Sequence, residues 1–203
     1  MTKSLLFLPG AGADPEIWKP LSNQLPDTWE KIHFRWPGLG NQKPAPHVNS
    51  LDDLVSIVEN SLGDQPVDLL AQSMGGHVAI RIMLKHPDKI RRAVFTATGV
   101  GLNLAQFGGE DWIPDYQKEY PNAKIGIMDE KQEYKDVLSQ ITQPVLLLYA
   151  DMDPICPVIV GEHLSELLPN AKLIRVKSSS HTFISDNPNN ISEYVIKYLE
   201  ETT

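Results

Sequence analysis

Six short apolar runs, each separated from the next by a helical or loop-like stretch, set the tightest limit on what this chain can fold into. The runs are Leu5–Leu8, Lys31–Trp36, Val67–Leu70, Arg92–Thr96, Val145–Tyr149 and Lys172–Val176. Two of the intervening segments carry clear helical spacing. Leu51, Leu54, Val55, Val58 and Leu62 form one stripe, with Ser50 and Asp53 resembling a capping pair. Ile191, Tyr194, Val195, Tyr198 and Leu199 form another, opened by Asn187-Pro188. Strands that are apolar on both faces must be covered on both faces, which helices between parallel strands achieve. The pattern predicts an α/β fold with a mostly parallel central sheet of about six strands and helices on both sides. A chain of 203 residues suits one domain over 1–203, burying about 70% of its unfolded surface.

Within that frame, Val67-Asp68-Leu69-Leu70-Ala71-Gln72-Ser73-Met74-Gly75-Gly76 carries the chemistry. The third run passes into a helical pattern through one residue, Ser73, where most strand-to-helix connections use several polar residues. Ala71 and Gly75 let strand, turn and helix approach closely, so the Ser73 hydroxyl is expected to project from a sharp corner. A serine there also caps a helix, but capping accounts for neither Gly75-Gly76 nor the rest of the chain.

A serine hydroxyl needs a base, and six histidines are available: His33, His47, His77, His86, His163 and His181. His181 follows the last strand run and precedes the C-terminal helix. Loops after the carboxyl ends of parallel strands open on one edge, so His181 and Ser73 are expected to share it. An acid must hold the base's tautomer. The fifth run ends in Ala150-Asp151-Met152-Asp153-Pro154, on the same edge. Asp153, stiffened by prolines, is the expected acid, with Asp151 the runner-up. Oxyanion donors are expected from the backbone N–H groups of Ala11, in Pro9-Gly10-Ala11-Gly12, and of Met74. A dinucleotide-binding reading of that loop fails because Pro15 stands where a third glycine belongs.

These parts, in the order oxyanion loop, Pro37-Gly38-Leu39-Gly40-Asn41, Ser73, Asp153, His181, resemble the α/β-hydrolase superfamily over essentially the full length. The Ser…Asp…His order is that superfamily's own, and Trp18 fits the tryptophan it often carries after the oxyanion loop. The resemblance implies a sheet lacking the usual first two strands, so that the first strand here lies in the middle. It departs from the pattern at Pro9, where histidine is common, at Arg35, where aspartate is common, and in its short cap. That cap is expected at about 103–140, a stretch without clear strands; the alternative is a solvated surface loop with a helix around Glu130–Leu138.

The resemblance and the residues together predict a serine hydrolase cleaving a small carboxylic ester through an acyl-enzyme, with no metal and no organic cofactor. A thioesterase, a cofactor-independent lyase using the same three residues, and a non-catalytic binding protein are the alternatives. Trp36, Trp112, Ile155 and Phe183 are expected to line the substrate pocket. Segment 103–140 holds eight acids against four bases, half of the whole chain's −8. This disfavours polyanionic substrates and favours neutral esters over acyl-coenzyme A thioesters. The net charge also argues against a nucleic-acid partner. One cysteine, Cys156, permits no internal disulfide. The N-terminal apolar run is too short for a signal peptide, and no stretch is long enough to span a bilayer. A cytoplasmic enzyme without a membrane partner is the expectation, its oligomeric state open.

Overall fold

The structure, a computed structural model, describes residues 3–129, 134 and 136–201. The six runs form strands β1 (Ser4–Leu8), β2 (Glu30–His33), β3 (Val67–Gln72), β4 (Ile90–Thr96), β5 (Val145–Ala150) and β6 (Ala171–Val176). They pair in parallel throughout, in the order β2-β1-β3-β4-β5-β6. The helices are α1 (Lys19–Ser22), α2 (Leu51–Glu59), α3 (Gly75–Lys85), α4 (Ile113–Glu119), α5 (Val158–Leu167), α6 (Phe183–Asp186) and α7 (Pro188–Glu200). Among the described residues no helix is long and apolar enough to cross a membrane.

The strand order explains the layering. From β1 the chain steps outward to β2, and every later step runs the other way. Right-handed crossovers then put α1 on one face of the sheet and α2, α3 and α5 on the other. The packing agrees, since α3 lies against α2, β1 and β3, whereas α1 lies against α6 and α7. β3 and β5 are buried at every residue, as strands covered on both faces must be. Each fully buried Leu or Val there contributes on the order of 1.5–3 kcal/mol.

Two expectations change. β1 is interior but sits one strand from the edge, and β3 and β4 hold the centre. The chain starts beside the place where the strand order reverses, not at the middle of the sheet. The strand of the second run ends at His33, with one further bond from Phe34 N–H to Phe7 O, rather than reaching Trp36; beyond it the chain turns through Gly38 and Gly40, both at positive φ. The capping pair is present: Ser50 Oγ accepts the Asp53 N–H, and Asp53 Oδ2 accepts the Ser50 N–H.

Segment 103–140 contains α4 and short 3₁₀ turns at Leu104–Phe107, Ile125–Met128 and Leu138–Gln140. The helix expected around Glu130–Leu138 lies largely outside the described residues. The helix that is present, α4, begins after Trp112 with Pro114 in its first turn, a position that suits proline's fixed φ and missing N–H.

Candidate active site

The order reversal between β1 and β3 opens a crevice at the carboxyl ends of those strands, the usual ligand position in such sheets. The loop after β1 and the corner after β3 meet there. Ser73 has φ 50, the left-handed region that costs a non-glycine residue about 1–2 kcal/mol. Its neighbours hold it there. Ser73 N–H donates to Thr96 O at 3.0 Å, and Ser73 O accepts from Gly76 N–H at 3.0 Å. A Cβ on Gly75 would come within 2.5 Å of Leu8 O and 2.7 Å of Pro9 O, so the start of α3 can pack on the end of β1 only without a side chain. A Cβ on Gly10 would likewise meet Gln72 Oε1 at 2.3 Å.

Three side chains from three loops converge at this corner. His181 Nε2 lies 2.9 Å from Ser73 Oγ, and His181 Nδ1 lies 2.8 Å from Asp153 Oδ2. A carboxylate can only accept, so the proton of the neutral ring sits on Nδ1 and Nε2 is left to accept from the serine hydroxyl. Asp153 is itself locked. Its Oδ1 accepts the N–H groups of Ile155 (2.9 Å) and Cys156 (3.1 Å), and its side chain is fully buried. Asp151 is exposed and its backbone N–H pairs with Val176 O, so Asp153, not Asp151, meets the imidazole. Three of the other five histidines engage elsewhere: His33 with Ser22, His86 with Glu59 and His163 with Glu166. Burial pushes the Cys156 thiol well up, which keeps the one cysteine from competing as a nucleophile.

The loop between Gly10 and Ala13 closes with Ala13 N–H donating to Gly10 O at 2.9 Å. Because a trans peptide points its N–H opposite its C=O, this bond also orients the Ala11 N–H. No acceptor among the described residues takes the N–H of Ala11 or of Met74, and Met74 caps the start of α3, where the helix dipole favours negative charge.

Two cavities flank Ser73. One, of about 370 Å³, is bounded by Ala11, Asp14, Gln72, Tyr116, Tyr120 and His181; the other, of about 550 Å³, by Met74, His77, Asn103, Glu110, Asp111 and Met128. Ser73, Trp112 and Ile155 border both. Of the four expected pocket residues, Trp112 and Ile155 are therefore at the site. Trp36 and Phe183 are not: both are completely buried in the core. Trp36 Nε1 donates to Pro9 O at 2.7 Å, so it braces the loop after β1 from behind. Phe183, the first residue of α6, is buried two residues after His181 in the chain and lines neither cavity.

Read from the sequence, Gln72, Tyr116 and Tyr120 carry no site role, and His77 is passed over in favour of His181. Gln72 Nε2 donates to His181 O at 3.3 Å, tying the His181 backbone to β3. Trp112, Tyr116 and Tyr120 recur at four-residue intervals, a helical stripe along α4 in which Trp112 meets Tyr116 edge-to-face and Tyr116 lies tilted against Tyr120, with centroids 5.4 and 5.0 Å apart. That spacing was the available signal. Burial pushes the Tyr120 phenol up to about 12 and the Tyr116 phenol upward as well. Among the described residues no three His, Cys, Asp or Glu side chains gather where they could hold a metal ion.

A family model described as "Alpha/beta hydrolase family" matches residues 5–129, more than half of the chain. The chain belongs to the alpha/beta hydrolase family. A second model, described as "TAP-like protein", matches residues 111–203 of this alpha/beta hydrolase. Among curated relatives, a pimeloyl-[acyl-carrier protein] methyl ester esterase of Neisseria meningitidis serogroup C is 25% identical, over 88% of this chain and 86% of its own. One from Aliivibrio fischeri (strain MJ11) is 23% identical, over 93% of this chain and 91% of its own. Among solved structures, MenH from S. aureus superposes with a TM-score of 0.81 at 18% identity, covering 98% of this chain and 94% of that one. The esterase EaEST from Exiguobacterium antarcticum gives 0.78 at 18% identity, covering 98% and 92%. These two structures carry the fold.

Proposed function

We propose that this alpha/beta hydrolase is a serine esterase that cleaves a small, neutral carboxylic ester. The observation that carries the reading is the pair of short contacts joining Ser73 to His181 and His181 to Asp153. The relatives named as methyl ester esterases support the same bond type.

In the proposed reaction Ser73 Oγ attacks the ester carbonyl carbon while His181 Nε2 takes the hydroxyl proton. Asp153 holds the ring and stabilises the imidazolium. The N–H groups of Ala11 and Met74 receive the oxyanion, a contribution worth about 3–4 kcal/mol per donor in comparable sites. His181 then passes its proton to the departing alcohol oxygen. Water repeats the sequence on the acyl-enzyme, with His181 as base, and the acid leaves with Ser73 restored.

No lysine or arginine among the described residues lines either cavity, whereas Asp14 borders the smaller and Glu110 and Asp111 the larger. Such walls offer an anionic acyl chain or a phosphorylated carrier arm no counter-charge. We therefore read the substrate as uncharged at both ends, unlike the carrier-bound substrate in the relatives' names. Segment 103–140 is a reduced cap whose Trp112 divides the two cavities. The single cysteine, buried and unpaired, supports a cytoplasmic setting.

The test pairs fluorophosphonate labelling with nitrophenyl esters from acetate to octanoate. The wild type should label at Ser73 and turn over the shorter esters, and Ser73→Ala should do neither. Turnover retained in Ser73→Ala would overturn the assignment, as would absence of both labelling and turnover in the wild type. A higher kcat/KM on acyl-coenzyme A than on matched neutral esters would overturn the substrate class.

A further inference from the structure

Tyr116 sits at a junction that the reaction sequence does not use. Its hydroxyl donates to Ala11 O at 2.8 Å and accepts the Gly40 N–H at 2.8 Å. One oxygen therefore links three separate segments: the loop after β1, the turn after β2 and helix α4. The turn fits closely against the loop. Gly40 has φ +50, and a Cβ there would fall 1.9 Å from Gly12 O. The tyrosine is almost fully buried, so water does not readily replace its hydroxyl between these two backbone groups.

The consequence lies in the orientation of Ala11. The bond from Ala13 to Gly10 O sets the peptide plane that carries the Ala11 N–H. The Tyr116 bond sets the following plane through the Ala11 carbonyl. With both planes anchored, the residue between them has little freedom to swing its N–H. Donors fixed before the reaction are worth more to an oxyanion than donors that must reorganise as it forms.

We propose that Tyr116 is a positioning residue for the oxyanion donor at Ala11, through which the segment 103–140 helix controls the rate of the chemical step. The inference rests on the esterase reading and adds to it that α4, besides walling the cavities, holds the oxyanion loop in its working shape. Tyr116 touches no reacting atom in this scheme. Its burial raises the phenol's pKa, so the hydroxyl stays protonated and able to donate through the neutral range.

The experiment compares Tyr116→Phe with the wild type on a short nitrophenyl ester, with each rate divided by the fluorophosphonate-titrated number of competent sites. That normalisation keeps kcat readable in a preparation that is partly unfolded. Tyr198→Phe, which removes a buried phenolic hydroxyl beside Arg92 and away from the cavities, controls for the loss of a tyrosine hydroxyl elsewhere in the core. Tyr116→Phe should lower kcat by about 10- to 100-fold, with KM within about threefold, and should weaken a trifluoromethyl ketone transition-state analogue by the same factor. Tyr198→Phe should leave kcat per site unchanged. Wild-type kcat per site in Tyr116→Phe would overturn the inference while leaving the esterase reading intact, as would a loss confined to KM or an equal loss in Tyr198→Phe. A wild type that neither labels nor turns over the ester removes the underlying reading instead.

Discussion

His181 Nε2 lies 2.9 Å from Ser73 Oγ although 108 residues separate the two in the chain. The contact exists because β3 and β6 end on the same edge of one parallel sheet, and because Gln72, one residue before the serine, bonds the His181 carbonyl. β3, Ser73 and His181 are thus tied by backbone and side chain together.

The backbone at Ser73 is strained, and this separates stability from activity. In Ser73→Gly the left-handed conformation costs nothing sterically, which offsets glycine's extra entropy loss of roughly 0.5–1 kcal/mol. Ser73→Gly should melt at or above the temperature of Ser73→Ala, both being inactive. A Ser73→Gly Tm several degrees below that of Ser73→Ala, measured by calorimetry, would show that the corner is not strained.

Asp153→Asn retains an oxygen for the Ile155 and Cys156 N–H groups, so the loop should keep its shape. It loses the acceptor that fixes the His181 tautomer, and kcat should fall by about 10⁴-fold. Asp151→Asn, at an exposed side chain, should stay within about twofold. Steady-state rates on one ester decide this, and a loss of that size in Asp151→Asn alone would move the acid's assignment to Asp151.

Gly75→Ala tests the close approach of α3 to the end of β1. The added methyl would meet two backbone carbonyl oxygens, which cannot rotate aside as a side chain could. Destabilisation of about 1–3 kcal/mol by urea unfolding is expected, with a loss of kcat because Leu8 and Pro9 lead directly into the oxyanion loop. An unchanged unfolding midpoint would mean that the two elements can separate at little cost.

His33 should make stability fall under mild acid. Desolvation lowers its pKa, with its ring stacked on Phe7 and its Nδ1 buried without a partner. A lowered pKa means that the folded protein binds fewer protons than the unfolded chain just below the ordinary histidine range. Stability is then full above that range and declines as pH falls from roughly 7 to 5. In His33→Gln the drop in Tm over this interval should be smaller than in the wild type, as read from melts at matched ionic strength.

Much of this architecture was legible in the chain alone. Continuous apolar runs and period-3.6 apolar stripes are local features of the chain, so the six runs and the helices α2 and α7 could be placed within a few residues. Ser73 stood out because a one-residue corner between strand and helix needs small neighbours, which are themselves local. His181 and Asp153 could be singled out because parallel strands deliver their following loops to one edge.

The tertiary structure decided what depends on distance between segments remote in sequence. It showed what sets Asp153 apart from Asp151: both follow β5, but Asp153 sits in a buried cradle of backbone N–H groups and reaches the imidazole. It moved Trp36 and Phe183 into the core, because an aromatic residue reads the same whether it lines a pocket or fills a gap. It brought Tyr116 onto Ala11 and Gly40, a meeting of three segments that no pattern within any one of them encodes. Local chemistry sets what each stretch of chain prefers to be; which side chains touch is settled only when the layers pack and exclude water.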